Sequence, residues 1–445
     1  MLTHTPPSFV SLQADDLYNA ENFFSEPVTY GLFCLLPPFP NALFFALHCP
    51  SARHALMRQI YASSLLLSLA LLSGCGGSTL SQMNMPAQEI GQVSVGDYGR
   101  HIDPMIARYM QHKQVTGMIV AVIQHNGPVE FHCYGITDDK QRYPITPDTL
   151  FALGSLSKGV TAEVTALLVN EGKLRWQDTL ETLLPAGTPL SNDAKTITLL
   201  QLATHTSGLP RQPMDLLTLE NLLSYFSSGE NFYMGLDQDS VLNWLSDFSA
   251  PESQEPHYSN IGYAVLDYIV RSHTGESIET LARRMIFTPL GMHNSSYQPT
   301  TLKAYPRRAL GHAGDQPKFI RRGALTPDWT FSGNMVGAAS LYSSARDLAT
   351  YARAHISDTD SPALNQAFRD VNQTWFYRQK EAANIAWVSD EEGDRRITYQ
   401  VGYIGGYASY IGFDRQNQNA VVVLQNSFNW SNYIGQTILT RLPKK

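Results

Sequence analysis

The stretch Gly154-Ser155-Leu156-Ser157-Lys158 is followed at helical spacing by Val160, Val164, Leu167 and Leu168, with Gly172 just beyond. This spacing predicts a helix from about Ser155 to Glu171, closed by the glycine. Ser155 then falls on the first turn, where backbone N–H groups without helical partners and the positive dipole end favour an attacking oxygen and an oxyanion. Residues three apart share a helical face, so Lys158 can reach the Ser155 hydroxyl. A lysine is a base only when neutral, and burial beside other donors promotes that state. The plainer reading of the same residues is a serine N-cap with a solvated lysine one turn on. The surroundings decide between the two.

Outward from this helix the chain is strand-rich at both ends. Upstream, Ile102, Met105, Ile106, Tyr109 and Met110 recur on one helical face that ends by Gly117. Two strand-like runs follow, Met118 to Gln124 and Val129 to Tyr134, separated by His125-Asn126-Gly127-Pro128, a hairpin signal. At the far end Ala408 to Phe413 and Ala420 to Gln425 flank Asp414-Arg415-Gln416-Asn417, and a last helix runs from about Asn432 to Leu442. The middle, from about Ser155 to Ala354, is mostly helical and includes a segment from Ser277 to Phe287 that stops before Pro289-Leu290-Gly291. The pattern predicts an α+β fold, in which one antiparallel sheet built from both chain ends is flanked by helices and carries an all-helical subdomain.

The 445 residues include 32 basic and 39 acidic side chains, a formal charge of −7, and 43% are hydrophobic, which describes a globular chain. Charged residues make up only 16% and no Lys/Arg-rich run occurs, so nucleic acid is excluded as a partner. Four cysteines, Cys34, Cys49, Cys75 and Cys133, show neither CxxC spacing nor nearby histidines at ligand distances, so neither a disulfide framework nor a metal knuckle is suggested. Cys133 reads as a small buried hydrophobe.

Cys75 is different. Met57-Arg58 opens a stretch whose apolar part, Leu65 to Leu72, runs into Ser73-Gly74-Cys75. A short positive start, a short apolar run and small residues before a cysteine resemble a bacterial lipoprotein signal, and the run is too short to span a bilayer. On this reading residues 1–56 are an upstream extension, 57–74 a lipoprotein signal peptide and 75–96 a flexible tether rich in Ser, Gly and Gln. Residues 97–442 are then the folded domain. Cys75 would carry a lipid anchor to the membrane and leave the domain facing the periplasm of a bacterial envelope. By resemblance to lipoprotein sorting, the absence of Asp after Cys75 favours the outer membrane.

No GxSxG elbow, HExxH, Walker A loop or GxGxxG opening a helix is present. About a hundred residues after Ser155, however, Tyr258-Ser259-Asn260 precedes the apolar run Ile261 to Val270. Upstream of it lies Leu202-Ala203-Thr204-His205-Thr206-Ser207-Gly208-Leu209-Pro210. With Phe287-Thr288-Pro289-Leu290-Gly291-Met292 and Leu341-Tyr342-Ser343-Ser344-Ala345-Arg346-Asp347-Leu348, these segments stand in an order that resembles the serine β-lactamase and penicillin-binding-protein family. The similarity is to the class C β-lactamases, D-alanyl-D-alanine carboxypeptidases and related esterases, and it spans about Asp97 to Leu442. The resemblance implies a β-lactamase/DD-peptidase-like fold with the active site between sheet and helical subdomain, and no metal or organic cofactor.

By the same resemblance Ser155 is the acylated nucleophile, Lys158 and Tyr258 share proton transfer, and Asn260 bonds the substrate amide or orients Lys158. Gln212, just past Leu209-Pro210, matches a substrate-contacting glutamine. A serine hydroxyl near neutral pH needs a base, and a Tyr–Lys pair can supply one. His205 and His257 read as structural, since no Asp-His-Ser arrangement is defensible.

The family's third motif is Lys or His, any residue, then Gly. Here Gln400-Val401-Gly402 takes its place in Tyr399 to Tyr407, so Gln400 stands where a cation is expected and offers only a neutral hydrogen bond. Arg396 shares the strand face but, at ~3.3 Å per residue, lies about 13 Å away. Tyr403 would supply a backbone N–H to the oxyanion, a role indifferent to its side chain. The expectation is a Ser155 acyl-enzyme hydrolase acting on peptidoglycan peptides, β-lactams or esters. The alternatives are a family-related carboxylesterase or a penicillin-binding lipoprotein without turnover.

Overall fold

A computed structural model of the chain describes residues 99–445, apart from 213–214, 237, 253–255, 332 and 378–381. The segments 1–56 and 57–74, the tether and Cys75 therefore lie outside the described residues. The first helix, α1 (Gly99–Lys113), buries Ile102, Met105, Ile106 and Tyr109, the face that the spacing marks out. The strands β1 (Gly117–Ile123) and β2 (Val129–Gly135) follow as a hairpin, Met118 opposite Tyr134, with His125 and Asn126 both at positive φ in the turn.

Among the described residues the main sheet has eight strands in the order β2-β1-β10-β9-β8-β7-β6-β5, and every neighbouring pair is antiparallel. Its last strands are β8 (Arg395–Ile404), β9 (Tyr407–Asp414) and β10 (Asn419–Gln425), and β10 pairs with β1, so strands distant in sequence join in one antiparallel sheet, as expected. The edge is completed by β5 (Phe376–Tyr377), β6 (Ala382–Ala383) and β7 (Val388–Glu392). A separate two-stranded sheet pairs β3 (Leu150–Ala152) with β4 (Tyr342–Ser344) just ahead of Ser155.

Strands β1, β9 and β10 are buried along their whole length because helices cover both faces. Phe413 on β9 stacks on His355 of one helix, Ala345–Ile356, while Tyr410, three residues earlier and so on the other face, bonds Gln436 of another, Asn432–Arg441. Cys133 corrects the expectation of burial: it sits exposed on β2, which among the described residues has a strand neighbour on one side only.

At the centre runs α2 (Ser157–Asn170), with every residue from Ser157 to Leu168 buried. A helix buried all round must satisfy its polar groups internally. Thr161 donates to the Gly337 carbonyl at 2.7 Å, and Glu163 accepts from Tyr351 at 2.6 Å and pairs with His355 at 3.1 Å.

Two expected helices differ in detail. Ser155 lies in a 3-10 turn, Gly154–Leu156, that leads into α2 rather than in the α-helix itself. Gly154 takes φ 55°, a conformation that a side chain resists, and a Cβ there would meet Ile404 of β8 at 3.1 Å. The segment after Ser277 forms an α-helix only over Ile278–Ala282, then widens into a π-helical turn, Arg283–Phe287.

Candidate active site

Three elements place the reactive groups. The Gly154–Leu156 turn carries Ser155 half-buried, and Ser157, the second serine of the motif, locks that turn. Its hydroxyl donates to the Gly154 carbonyl at 2.6 Å and accepts from the Leu341 amide at 3.0 Å. Ser155, by contrast, turns its oxygen toward two side-chain donors. Lys158 Nζ donates to Ser155 Oγ at 3.1 Å, and Tyr258 Oη donates to the same oxygen at 2.7 Å. The solvated-lysine alternative fails, because Lys158 is 1% exposed and also donates to the Ala338 carbonyl at 2.8 Å.

The second element is the helix Asn260–Thr274, whose N-cap is Ser259. The Ser259 hydroxyl accepts from the Gly262 amide at 2.8 Å and donates to the Pro210 carbonyl at 2.7 Å, which fixes the angle at which Tyr258, one residue earlier, enters the site. His205 supports the same loop: its Nδ1 accepts from the Ser259 amide at 3.0 Å, its carbonyl accepts from the His257 amide at 2.7 Å, and its ring lies 4.4 Å from that of Tyr258. His257 is exposed. Both histidines thus touch the site through scaffold contacts.

Electrostatics favour proton transfer at this pair. Burial lowers the Lys158 pKa from its ordinary 10.5, against the opposing pull of Tyr258. For Tyr258 burial alone would raise the pKa, but the charges of Lys158 and Arg211 and hydrogen bonds from Lys158 and Ser155 outweigh it, so the net direction is down. The buried pair gives up a proton more readily than either group does in water.

The third element is β8. Gly402 presses on the Ser155 turn so closely that a Cβ would lie 1.9 Å from the Leu153 carbonyl oxygen, and Ser409 of β9 donates to that same oxygen at 2.9 Å. The Tyr403 carbonyl comes within 3.1 Å of a Cβ placed on Gly154, so the Tyr403 backbone borders the turn, while its ring stacks on Phe428.

Other expected site residues are placed differently. Asn260 does not hold Lys158: its amide donates to the Tyr233 hydroxyl at 2.5 Å, and Ala338 holds the lysine instead. Gln400 is 6% exposed, and its amide nitrogen donates to the Ala386 carbonyl at 2.8 Å, tying β8 to a loop rather than facing a ligand. Gln212 is half-buried in the loop after Arg211. Arg396 bonds Thr374.

Two features of the site have no clear signal in the sequence. Arg211 lies over the Tyr258 ring, 4.9 Å from its centroid, although nothing in Leu209-Pro210-Arg211 tells which way the arginine turns. An aromatic cluster of Phe232, Tyr233, Trp329 and Phe331 borders Asn260 on one side and, through Trp329, the Gly405 turn of β8 and β9 on the other. Its members come from loops whose composition shows no periodicity.

Residues 102–441 match the family described as Beta-lactamase. The chain belongs to the β-lactamase family. Among similar proteins of this family, a D-alanyl-D-alanine-carboxypeptidase/endopeptidase, AmpH of Escherichia coli K12, is 26% identical over 345 residues, covering 73% of this chain and 84% of that one. A Beta-lactamase of Pseudomonas fluorescens is 27% identical over 297 residues, covering 65% and 74%. A class C β-lactamase structure from Rhodobacter sphaeroides superposes with TM-score 0.63 at 25% identity over 76% of this chain and 96% of the other. The fold is accordingly that of the class C β-lactamases, and the chain is a hydrolase of the serine β-lactamase/DD-carboxypeptidase family.

Proposed function

We propose that the protein works through a Ser155 acyl-enzyme on peptidoglycan peptides, β-lactams or esters. The observation that carries this reading is the convergence of Lys158 Nζ and Tyr258 Oη on Ser155 Oγ, at 3.1 and 2.7 Å. With one proton removed from the pair, Ser155 Oγ bonds the substrate carbonyl carbon as its own proton passes to the pair. The pair returns that proton to the departing amine or alkoxide as its bond to carbon breaks. Water then takes the acyl group and restores the serine. The turn at Gly154–Leu156 and the Tyr403 backbone flank the position where the oxyanion develops.

Peptide substrates are favoured by the likeness to a D-alanyl-D-alanine-carboxypeptidase/endopeptidase. Ester substrates form a second reading, supported by Gln400, a neutral residue engaged with Ala386, and by the aromatic cluster around Trp329, which suits an apolar acyl group. We further propose, from the signal-like stretch ending at Cys75, that the domain is lipid-anchored in the bacterial envelope, facing the periplasm from the outer membrane.

The test is turnover by the full chain of a penicillin and of a short-chain p-nitrophenyl ester, wild type against Ser155→Ala. Ser155-dependent penicilloate formation supports the peptidase and lactamase reading. Ester hydrolysis without penicillin reaction supports the esterase. No reaction with either overturns turnover and leaves a binding protein.

A further inference from the structure

Lys158 and Arg211 are the two cations whose charges reach Tyr258 among the described residues. They are not equivalent. Lys158 is buried, and its ammonium is committed to Ser155 and Ala338, so it meets the reacting oxygen and not an incoming ligand. Arg211 is exposed, and its guanidinium lies over the face of Tyr258.

Its backbone is held firmly. The Arg211 carbonyl accepts from the Asn260 amide at 3.0 Å, and the Pro210 carbonyl beside it accepts from Ser259. The arginine therefore starts from the same clamp that fixes Tyr258, and its charge is also felt at Tyr233 on the aromatic wall. On the opposite wall the third-motif position offers no cation at all. Gln400 spends its N–H on Ala386, and its Oε1 packs 2.7 Å from where a Cβ on Gly159 would stand.

We propose that Arg211 is the specificity-determining residue of this site and docks a carboxylate that the substrate carries on its leaving-group side. A planar guanidinium presents two parallel donors to a carboxylate, which a glutamine amide cannot do. The anion is drawn in from the Tyr258 side of the cleft instead of from β8. This inference rests on the Ser155 acyl-enzyme reading and narrows its substrates to those with an anionic leaving portion.

The experiment uses the full chain in detergent with two substrates that share an acyl group, 3-(phenylacetoxy)benzoate and its methyl ester. They deliver the same acyl-enzyme and differ by one charge. The quantity read is the ratio of kcat/KM for carboxylate over methyl ester in wild type, Arg211→Lys and Arg211→Gln, with folding checked by circular dichroism. The expected wild-type ratio is about 10 to 100, the range of one charge-assisted hydrogen-bonded pair. It falls to about one in Arg211→Gln, chiefly through KM, and stays intermediate in Arg211→Lys. A wild-type ratio near one, or a ratio that survives in Arg211→Gln while both rates fall together, overturns the assignment and leaves Arg211 acting through Tyr258 alone. If wild type hydrolyses neither substrate and Ser155 takes no adduct, the acyl-enzyme reading falls and this inference falls with it.

Discussion

Asp267 offers a sharp thermodynamic test of how the site is supported. It lies on the Asn260–Thr274 helix, 4% exposed, and accepts from the Gly337 amide at 2.8 Å, one residue before the carbonyl that holds Lys158. Burial raises its pKa from 3.8 to about 7, against the Gly337 hydrogen bond and the Arg271 charge, which both lower it. That change corresponds to roughly 4 kcal/mol between the two protonation states, a large part of the ~5–15 kcal/mol that keeps a domain folded. The sign follows from proton binding. Between pH 3.8 and 7 the folded protein holds this proton and the unfolded chain does not, so the contribution is present in full below 3.8 and is lost as pH rises through 7. Asp267→Asn keeps an oxygen for Gly337 but cannot ionise. Urea unfolding of wild type and variant at pH 4 and pH 8 should show the variant gaining about 3–4 kcal/mol relative to wild type at the higher pH. Taking the difference between the two proteins removes every other titrating group. Parallel pH dependence in both would refute the assignment of a costly buried carboxylate at this position.

Removing the Tyr258 phenol (Tyr258→Phe) or the Lys158 amine (Lys158→Met) should slow Ser155 acylation by about 10²–10⁴-fold in a stopped-flow ester burst. Because the base must be deprotonated, the wild-type rate should rise with pH and level off below the ordinary lysine value of 10.5. Gly402→Ala sets a methyl 1.9 Å from the Leu153 oxygen, so the turn or the strand must move, and thermal melting should show a loss of several degrees together with lost acylation. Tyr351→Phe takes a 2.6 Å donor from the buried Glu163 carboxylate and should cost about 1–3 kcal/mol in urea unfolding.

Much of the fold was legible because its signals are local. The apolar spacing of Ile102 to Tyr109, the turn at Asn126-Gly127 and the break at Asp414 to Asn417 between two apolar runs each report on neighbours in sequence, and the elements stand where those signals fall. What escaped was non-local or very short. Strands β3 to β7 are two to five residues long, and Leu150–Ala152 becomes a strand only by pairing with Tyr342–Ser344 nearly two hundred residues away. The 3-10 turn that holds Ser155 opens on Gly154 at φ 55°, close beside Ile404 of β8, a proximity no spacing rule contains.

In the site, Ser155, Lys158 and Tyr258 come together because Ser155 and Lys158 stand three residues apart where a 3-10 turn runs into α2, and Tyr258 precedes a capped helix. The direction of a side chain at a loop was not readable. Asn260 turns to Tyr233, Gln400 to Ala386 and Arg211 onto Tyr258, each choice set by a partner distant in sequence.

In the proposed mechanism Ser155 is the acylated nucleophile. Intact-mass analysis of the full chain after brief exposure to a penicillin and to a p-nitrophenyl ester, followed by peptide mapping, tests it directly. The expected result is a single acyl adduct on the peptide that contains Ser155, absent in Ser155→Ala and strongly slowed in Lys158→Met. An adduct on Ser157 or elsewhere, or one that persists in Ser155→Ala, would contradict the account.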